Sequence, residues 1–285
     1  MKIENIRLLK EPEKSFIVFK ENKEFSPWHH HPEFELVYIT KGQGKRMIGD
    51  HIARFDDGDL ILLGTYLPHE WLCDKTFYSE TEGFRGEGIV IQFLYDFLGK
   101  IFFEIPENSA LNKLLQDASR GIKFSNNTKK LLIPLVKNIV ELSNSERLYS
   151  LFSIFKILSE SKDYTLLCSP GFMEPFHANE NTPMQKAMQY ILQNFQKNAN
   201  IDGILSYTKM SNTAFCMAFK KNYRMTFKEY ILKIRVGYAC NLLIDNSLNI
   251  SEVAYNSGFE NISNFNRQFK KIKGITPSQF RDEYN

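Results

Sequence analysis

Residues 250–284 read ISEVAYNSGFENISNFNRQFKKIKGITPSQFRDEY. Their pattern predicts a helix, a tight turn at Ser257-Gly258-Phe259, and a second helix from about Asn261 to Lys271. Apolar side chains recur at roughly helical period in both helices, and the remaining faces carry amides, hydroxyls and cations. Two helices joined by a glycine-containing turn form the unit that places one helix in a major groove of DNA.

The same pattern occurs earlier in the chain, at residues 201–230 (IDGILSYTKMSNTAFCMAFKKNYRMTFKEY). The two stretches align at an offset of 49 before the turn and 50 after it, which matches Phe215 with Phe265. A single helix-turn-helix prediction is weak, whereas a duplicated one indicates an architecture. Between the copies, residues 228–244 predict one amphipathic helix, on the order of 25 Å long at 1.5 Å per residue.

This repeat, the linking helix with Arg235 and the tail GITPSQFR (274–281) resemble the DNA-binding domain of AraC-family transcriptional regulators. The resemblance covers roughly residues 183–285. It implies two helix-turn-helix units that read adjacent major grooves of double-stranded DNA, usually from a homodimer, with RNA polymerase as a partner if the protein is an activator. The side chains that the resemblance assigns to DNA binding are Asn212, Thr213, Cys216, Met217 and Lys220 in the first recognition helix and Ser263, Asn264, Asn266, Arg267 and Lys270 in the second.

The chain departs from the family pattern at two positions. Met217 stands where such proteins often carry arginine, and Arg224 stands where the turn after the first recognition helix usually carries glycine. Met217 offers only apolar contact, for example to a thymine methyl, whereas Arg267 can donate two hydrogen bonds to O6 and N7 of guanine. We therefore expect the second unit to supply more of the polar base readout.

Charge is distributed unevenly along the chain. Residues 183–285 contain 14 Lys and Arg against 7 Asp and Glu, a balance of +7, and residues 1–182 contain 22 against 26, a balance of −4. Lys and Arg that neutralise phosphates release counterions, which attracts DNA of any sequence. The basic C-terminal part is therefore the predicted DNA-binding end.

Residues 1–105 have the character of a β-domain. Short runs of β-branched and aromatic residues alternate with glycine- and aspartate-containing turns, which predicts a sandwich or a barrel. The predicted strands are Phe34–Thr40, Lys45–Ile48, Ile52–Phe55, Leu60–Leu63 and Ile89–Phe93.

Two segments within this region, WHHHPEFELVYITKG (28–42) and GDLILLGTYLPHEW (58–71), resemble the two half-motifs of the cupin barrel, the sensor domain common in AraC-type regulators. In metal-binding cupins two histidines, a glutamate and a later histidine ligate Fe, Mn, Zn or Ni, and imidazole and carboxylate suit such an ion. The matching positions here are His29, His31, Glu35 and His69. The second half-motif follows the family spacing only loosely, so we favour a metal-free pocket without a cofactor and keep a divalent metal as the alternative.

Aromatic side chains near these positions could line a concave site for a small-molecule effector. The predicted ligand-binding residues are Trp28, His29, His31, Glu35, Tyr38, His69 and Trp71. For Tyr38, which lies in the middle of a strand, a core position is the alternative. A carbohydrate effector fits the resemblance because sugars stack on tryptophan.

A helical segment at residues 106–168 follows the predicted strands. Its predicted helices lie near Ala110–Ala118, Leu131–Leu142 and Arg147–Leu158. Helices after the barrel commonly pair subunits in the family, which makes Leu151, Phe155 and Leu158 candidates for a dimer seam. Packing on the barrel is the equal alternative, because an apolar stripe does not say what covers it.

The segment SPGFMEPFHANENTP (169–183) contains three prolines and a glycine, which predicts a linker over residues 169–182. The N-terminal residues lack the apolar run of a signal peptide, and no apolar stretch reaches the roughly 18 to 20 residues of a membrane span. The four cysteines show no close pairing that would indicate a disulfide framework or a zinc cluster. We therefore expect a cytoplasmic protein without a membrane partner.

These observations predict an α+β multidomain protein with an N-terminal cupin-like β-barrel, following helices, and a C-terminal all-α domain of two helix-turn-helix units joined by a long helix. The favoured function is a ligand-responsive, sequence-specific transcriptional regulator. The alternative is a metal-dependent cupin enzyme, an oxygenase or isomerase, with a helical C-terminal domain. The polar, basic faces of the duplicated units favour the regulator, and we find no phosphate loop, serine-nucleophile motif or paired-carboxylate constellation that would indicate catalysis.

Overall fold

The computed structural model describes residues 4–5, 14–21, 25, 28–74, 86–99, 101–169, 172, 183–197, 199–223, 225–245 and 247–284. The chain divides into two compact units, Glu4–Ala178 and Asn179–Asn285. The predicted linker spans this boundary and lies outside the described residues apart from Ser169 and Phe172. Arg224, where the sequence departs from the family pattern, is also outside them.

The N-terminal unit contains two β-sheets. Its described strands are β1 Glu4–Asn5, β2 Phe16–Glu21, β3 His29–His30, β4 Phe34–Lys41, β5 Gly44–Ile48, β6 His51–Phe55, β7 Leu60–Leu63, β8 His69–Cys73, β9 Glu87–Phe93, β10 Ile122–Phe124 and β11 Tyr164–Leu166. One sheet has the order β1-β3-β8-β5-β6, and the other has the order β11-β10-β7-β4-β9-β2. The sequence predicted β4 to β7 and β9, but it did not predict β2 or β8.

The central strand β4 separates two environments because its side chains alternate. Phe34 and Leu36 pack into a core that also contains the helices of this unit. Glu35 and Val37 point the other way, into a pocket whose walls include side chains of the five-stranded sheet. The two faces of β4 thus serve stability and a candidate site respectively.

Three helices, whose presence the sequence predicted, pack on the six-stranded sheet, an arrangement that the sequence left open. They are α1 Ser109–Asp117, α2 Asn126–Asn138 and α3 Asn144–Glu160. Leu151, Phe155 and Leu158 of α3 are only 1%, 4% and 1% exposed, within the core that includes the strands. These three side chains therefore pack within one chain and are not available for a seam between subunits.

The C-terminal unit is helical. Its helices are α4 Pro183–Asn194, α5 Ile201–Thr208, α6 Asn212–Tyr223, α7 Phe227–Asp245, α8 Ile250–Asn256, α9 Ile262–Lys273 and α10 Pro277–Tyr284. Phe215 in α6 and its repeat equivalent Phe265 in α9 are both fully buried. The duplicated sequence thus corresponds to the pairs α5–α6 and α8–α9, with α7 between them. None of the helices among the described residues combines the length and apolar composition that a membrane span requires.

Candidate functional site

Local capping interactions build the second helix-turn-helix unit. The Asn249 side chain accepts a hydrogen bond from the Glu252 N–H at 3.0 Å, and the Glu252 carboxylate accepts one from the Asn249 N–H at 2.8 Å. Gly258 follows α8 with φ +86°, in the left-handed region that favours glycine. The Asn261 side chain then accepts a hydrogen bond from the Asn264 N–H at 2.8 Å, which starts α9.

The outward face of α9 carries the side chains predicted to contact DNA. Ser263, Asn266, Arg267 and Lys270 are exposed, and Asn264 is half-buried. The Asn264 side-chain oxygen accepts a hydrogen bond from the Arg267 guanidinium at 3.1 Å. This contact orients the guanidinium and leaves further N–H donors for a base or a phosphate.

The first unit presents the equivalent face of α6. Its predicted DNA-binding residues, Asn212, Thr213, Cys216, Met217 and Lys220, are all exposed. Met217 is 70% exposed, although a methionine side chain is mostly apolar. Lys209, which matches Gly258 in the repeat, also adopts a left-handed conformation with φ +59°. We call the ten exposed or half-buried side chains named on α6 and α9 the recognition face.

A pocket lies inside the N-terminal unit, between the two sheets. Its described lining comprises Phe19, Glu21, Phe25, His29, His31, Glu35, Val37, Trp71, Val90 and Gln92. His29 in β3 is paired with His69 in β8, whereas Glu35 in β4 is paired with Gln92 in β9. One sheet thus supplies imidazoles, and the other supplies a carboxylate and an amide.

Glu35 lies at the centre of this polar cluster. Its Oε2 atom is 2.9 Å from His31 Nε2 and accepts a hydrogen bond from Gln92 Nε2 at 2.5 Å. Its Oε1 atom is 3.5 Å from His69 Nε2. Burial would raise the pKa of Glu35, but the hydrogen bond from His31 and the nearby imidazoles hold that pKa below its usual range.

The two contacting histidines differ in charge. Burial lowers the pKa of His31, but the carboxylates of Glu33 and Glu35 outweigh burial and raise that pKa to about 9. Burial lowers the pKa of His69 to about 4. His31 is therefore protonated near neutral pH and donates to Glu35, whereas the His69 ring is neutral.

The neutral ring of His69 has a defined tautomer. Its Nδ1 atom lies 2.8 Å from the carbonyl oxygen of Leu67, so Nδ1 carries the proton and Nε2 carries a lone pair. Among the described residues, Nε2 has no hydrogen-bond partner. Glu35 Oε1 and His69 Nε2 therefore form an acceptor pair, two acceptors that face each other without a shared proton. A cation would satisfy both, and a hydroxyl group would donate its one hydrogen to either acceptor or share it between the two.

The same cluster has features of a metal site. One ring nitrogen from each of His29, His31 and His69 lies within 4.8 Å of the others. His69 donates its other ring N–H to a backbone carbonyl, as metal-bound histidines commonly do. A metal ion bound to His31 Nε2 would first have to displace the proton that His31 shares with Glu35.

Tyr38 does not belong to this pocket, so the prediction that it binds the ligand is wrong. It is 5% exposed within the helix-covered core, and Lys137 Nζ lies 5.7 Å from the centre of its ring. The reason is the strand period of two, which sends Glu35 and Tyr38 to opposite faces of β4. Trp28 and His69 are buried but are not among the described lining residues, whereas Trp71 is, and His69 adjoins the pocket through its contact with Glu35.

The sequence analysis missed several lining residues, of which Glu21 and Gln92 are the polar ones. Glu21 ends β2, and burial together with the charge of Glu35 raises its pKa to about 7. Gln92 interrupts the otherwise apolar run of β9. A single amide in an apolar strand is the signal that could have identified Gln92. Glu21 required knowledge that β2 pairs with β9.

Comparisons with known proteins agree with this division. A family model described as an AraC-like ligand binding domain matches residues 19–75, and one described as a helix-turn-helix domain matches residues 204–283. The Msm operon regulatory protein of Streptococcus mutans is 24% identical over 261 residues, which cover 88% of this chain and 84% of that protein. The lactose operon transcription activator of Staphylococcus xylosus is 29% identical over 105 residues, which cover 37% of this chain and 38% of that protein.

Solved structures of similar proteins include ToxT from Vibrio cholerae O395. It is 17% identical and has a TM-score of 0.42, with 95% of this chain and 100% of that chain covered. The enzyme alternative finds no support among the family models and named relatives. The matched models contain the recognition face and most of the pocket lining, and together with the named regulators they support an AraC-type, DNA-binding transcriptional regulator with an N-terminal ligand-binding domain.

Proposed function

We propose that both recognition helices enter adjacent major grooves of double-stranded DNA, and that a small hydroxyl-rich effector bound in the N-terminal pocket controls this binding. The observation that carries the effector proposal is the acceptor pair, Glu35 Oε1 and His69 Nε2, 3.5 Å apart and buried. Two acceptors at this distance repel each other unless a donor binds one of them or shares its hydrogen with both. A ligand hydroxyl supplies such a donor.

A carbohydrate is the effector class that suits the remaining lining. Trp71 and Phe25 offer apolar ring faces, and Glu21 and Gln92 offer further polar groups around the acceptor pair. Sugars combine hydroxyl groups with apolar C–H faces, so both kinds of lining would be used. The lactose operon transcription activator resembles only about a third of this chain, and its name gives the carbohydrate proposal modest support.

We propose that the pocket works without a cofactor and that a divalent metal is the weaker alternative. His31 carries a proton on the nitrogen nearest Glu35, and Gln92 already donates to the same carboxylate oxygen. A metal would have to break this charge-assisted network, whereas a hydroxyl would leave it intact. The imidazoles of His29 and His69 with Glu35 would hold an ion if one binds.

Hydrogen bonds connect the acceptor pair with the end of the N-terminal unit. His69 follows Pro68, whose carbonyl accepts a hydrogen bond from the Gly49 N–H at 2.8 Å. Gly49 lies in the turn between β5 and β6, against Cys168 and Phe172. A Cβ added at Gly49 would lie 2.6 Å from atoms of both side chains. A shift of His69 would therefore move the Gly49 turn and, with it, the residues near Cys168 where the chain leaves this unit.

The same turn holds the first residue of the predicted linker. The Ser169 N–H donates to the Asp50 carboxylate at 3.0 Å, and the Ser169 hydroxyl also donates to it. Cys168 Sγ donates to the Ile48 carbonyl at 3.2 Å. These contacts support regulation in which effector binding alters the start of the linker. Such regulation requires that the effector bind two states with different affinity.

The protein is further proposed to act as a homodimer in the cytoplasm, with RNA polymerase as a partner at promoters that it activates. Leu131 on α2 and Tyr149 on α3 are exposed large side chains of the helical layer, at 59% and 72%. They are better candidates for a subunit contact than Leu151 or Phe155, which are buried.

Selection of bound sequences from a random double-stranded DNA pool tests the DNA proposal. The selection is run at about 150 mM salt, where nonspecific phosphate attraction is weak, with the full-length protein and the 183–285 fragment. A motif with two contacts one helical turn apart supports two DNA-reading units. We call these units the reading heads: the first head is the helix pair α5–α6, and the second head is the pair α8–α9. A repeated motif for the full-length protein alone assigns dimerisation to residues 1–182. No enrichment from either protein, with or without sugars, would contradict the proposal.

Arg267 and Lys270 should differ in what they contribute to DNA binding. Arg267→Ala is expected to cost about 1–3 kcal/mol on the selected duplex and to relax the preference at one base position. Lys270→Ala is expected to weaken all duplexes similarly and to reduce the slope of log affinity against log salt by about one unit. Fluorescence anisotropy with selected and scrambled duplexes measures both. If both variants bind like the parent, α9 does not enter the groove.

Effector binding should stabilise the N-terminal unit. A sugar present at 100 times its Kd is expected to stabilise the protein by about 2.7 kcal/mol, measured as a rise in Tm across a panel of mono- and disaccharides. Glu35→Gln should abolish this rise because it removes half of the acceptor pair. Glu87→Gln, an exposed change in β9, should preserve it. A rise with Zn²⁺ or Mn²⁺ and with no sugar would favour the metal alternative.

A further inference from the structure

One arginine of the linking helix contacts a helix that precedes both reading heads. Arg235 of α7 donates from Nε to the carbonyl oxygen of Phe195 at 2.8 Å. Phe195 directly follows α4, so its carbonyl belongs to the helix end that lacks partners within the helix. The guanidinium is half-buried, and burial lowers its pKa, although an arginine keeps its charge at any physiological pH. The Arg235 guanidinium therefore remains a hydrogen-bond donor to this carbonyl across the physiological pH range.

The turn of the second reading head closes on the same carbonyl groups. A Cβ added at Gly258 would lie 2.8 Å from the carbonyl oxygens of Phe195 and Gln196 and 2.9 Å from Arg235 Nε. The Gln196 side chain also donates to the carbonyl of Asn256, the last residue of α8, at 3.3 Å. Three elements thus meet around Gly258: the end of α4, the middle of α7 and the α8–α9 turn.

The repeat itself explains why this position needs glycine. Lys209 occupies the matching turn of the first head with a similar left-handed φ, +59° against +86° for Gly258. A residue with a side chain therefore tolerates the turn conformation, as single left-handed residues in turns sometimes do. What excludes a side chain at Gly258 is the close approach of the α4 carbonyls and Arg235. Gly258 is therefore required because the turn of the second head packs closely against the end of α4 and Arg235.

The other end of this connection is the first head. The ring of Tyr190 in α4 lies 5.6 Å from the ring of Tyr207 in α5. The Tyr230 hydroxyl of α7 donates to Met188 Sδ of α4 at 3.2 Å, and the Tyr230 ring packs edge-to-face on Phe219 of α6, with ring centres 5.5 Å apart. The helix α4 is therefore joined to α5, α6 and α7 along its length and to the α8–α9 turn at its end.

We infer that Arg235, seated between the α4 carbonyls and the Gly258 turn, is a positioning residue that sets the angle and spacing between the two recognition helices. This inference rests on the proposed two-groove function. Arg235 acts on DNA through α9 and not by touching a base. Without it, α9 would remain folded but would be held to the first head only by α7 and the hydrogen bond between Gln196 and Asn256. The two heads would then adapt to other spacings at the cost of preorganisation.

Altered spacing between the two DNA contacts tests this inference. The probe is the duplex selected by the wild-type full-length protein, together with versions that carry one inserted or one deleted base pair between the contacts. Each base pair rotates one contact by about 34–36° relative to the other. Wild-type protein is expected to lose about tenfold or more in affinity for the altered duplexes, since a rigid pair of heads cannot follow the rotation.

Arg235→Gln is expected to bind the selected duplex about tenfold more weakly than the wild type and to differ by less than about threefold among the three spacings. Lys228→Gln is the matched control, because it removes one exposed charge from the same helix and should keep the wild-type spacing preference. Gly258→Ala tests the contact from the other side and should also flatten the preference. Circular dichroism establishes that each variant is folded.

The outcomes separate the inference from the function on which it rests. Folded Arg235→Gln and Gly258→Ala proteins that keep the wild-type spacing preference would overturn the positioning role, whatever their overall loss of affinity. A wild-type protein that binds all three duplexes alike would overturn the two-contact function itself and the inference with it. A flat preference in both variants, against a sharp one in the wild type and in Lys228→Gln, is the expected result.

Discussion

Asp59→Ala is expected to lower the free energy of unfolding of the N-terminal unit by about 3–5 kcal/mol. Asp59 accepts a hydrogen bond from the Arg46 guanidinium, and both side chains are buried, at 5% and 1% exposure. Arg46 lies in the five-stranded sheet, and Asp59 immediately precedes β7 of the other sheet. Lys123 Nζ lies 2.7 Å from the second carboxylate oxygen. Removing the carboxylate leaves a buried guanidinium unpaired with an ammonium nearby.

Chemical denaturation of the full-length protein measures this effect, with the N-terminal transition followed by tryptophan fluorescence because Trp28 and Trp71 both lie in that unit. Asp74→Ala provides the control, since Asp74 pairs with Arg54 at 2.5 Å on a more exposed surface. That change should cost less than about 1 kcal/mol. Equal costs for the two variants would show that burial does not set the value of the Asp59 contact.

Phe265→Ala is the second large change, with an expected cost of about 3–5 kcal/mol to the C-terminal unit. Phe265 is fully buried, and its ring lies 5.1 Å from Phe259 and 5.6 Å from Phe269. Its removal leaves a cavity where the turn, α8 and α9 meet. Specific DNA binding should be lost with the second head, because α9 then has no fixed orientation.

Amide hydrogen exchange measures the loss of stability separately in the N-terminal and C-terminal units. Amides of α8 and α9 should lose protection in Phe265→Ala, whereas amides of β4 and β9 should keep it. Asn266→Ala, at the adjacent exposed position, should change stability by less than about 0.5 kcal/mol while weakening DNA binding. If Asn266→Ala loses as much protection as Phe265→Ala, the exposed face also holds the fold together.

The recognition helices were predictable because the signals that form them are local. Asn249, Asn261 and Gly274 cap helix ends through contacts within a few residues, and the buried phenylalanines recur at helical period. The repeat at an offset of 49 to 50 residues then strengthened the prediction of each helix-turn-helix unit, because the same pattern occurs twice. Side chains on the solvent side of such helices were therefore identified before any tertiary contact was known.

The pocket was only partly predictable, because its walls come from strands that are distant in sequence. The histidines and Glu35 lie within one segment and appeared as a motif, whereas Glu21 and Gln92 join them only through the pairing of β2 and β4 with β9. Tyr38 was misplaced because its side of the strand depends on the register of β4, which a motif does not reveal.

The sequence by itself determined the two helix-turn-helix units, the strands β4 to β7 and β9, and the histidine–glutamate set, since each depends on residues close together in the chain. Only the tertiary structure decided which face of β4 lines the pocket, that Arg46 and Asp59 pair across two sheets, and that Gly258 must be glycine because α4 and Arg235 approach it. These features depend on contacts between segments that no local pattern brings together, and their energies arise from burial and close packing that exist only in the folded chain.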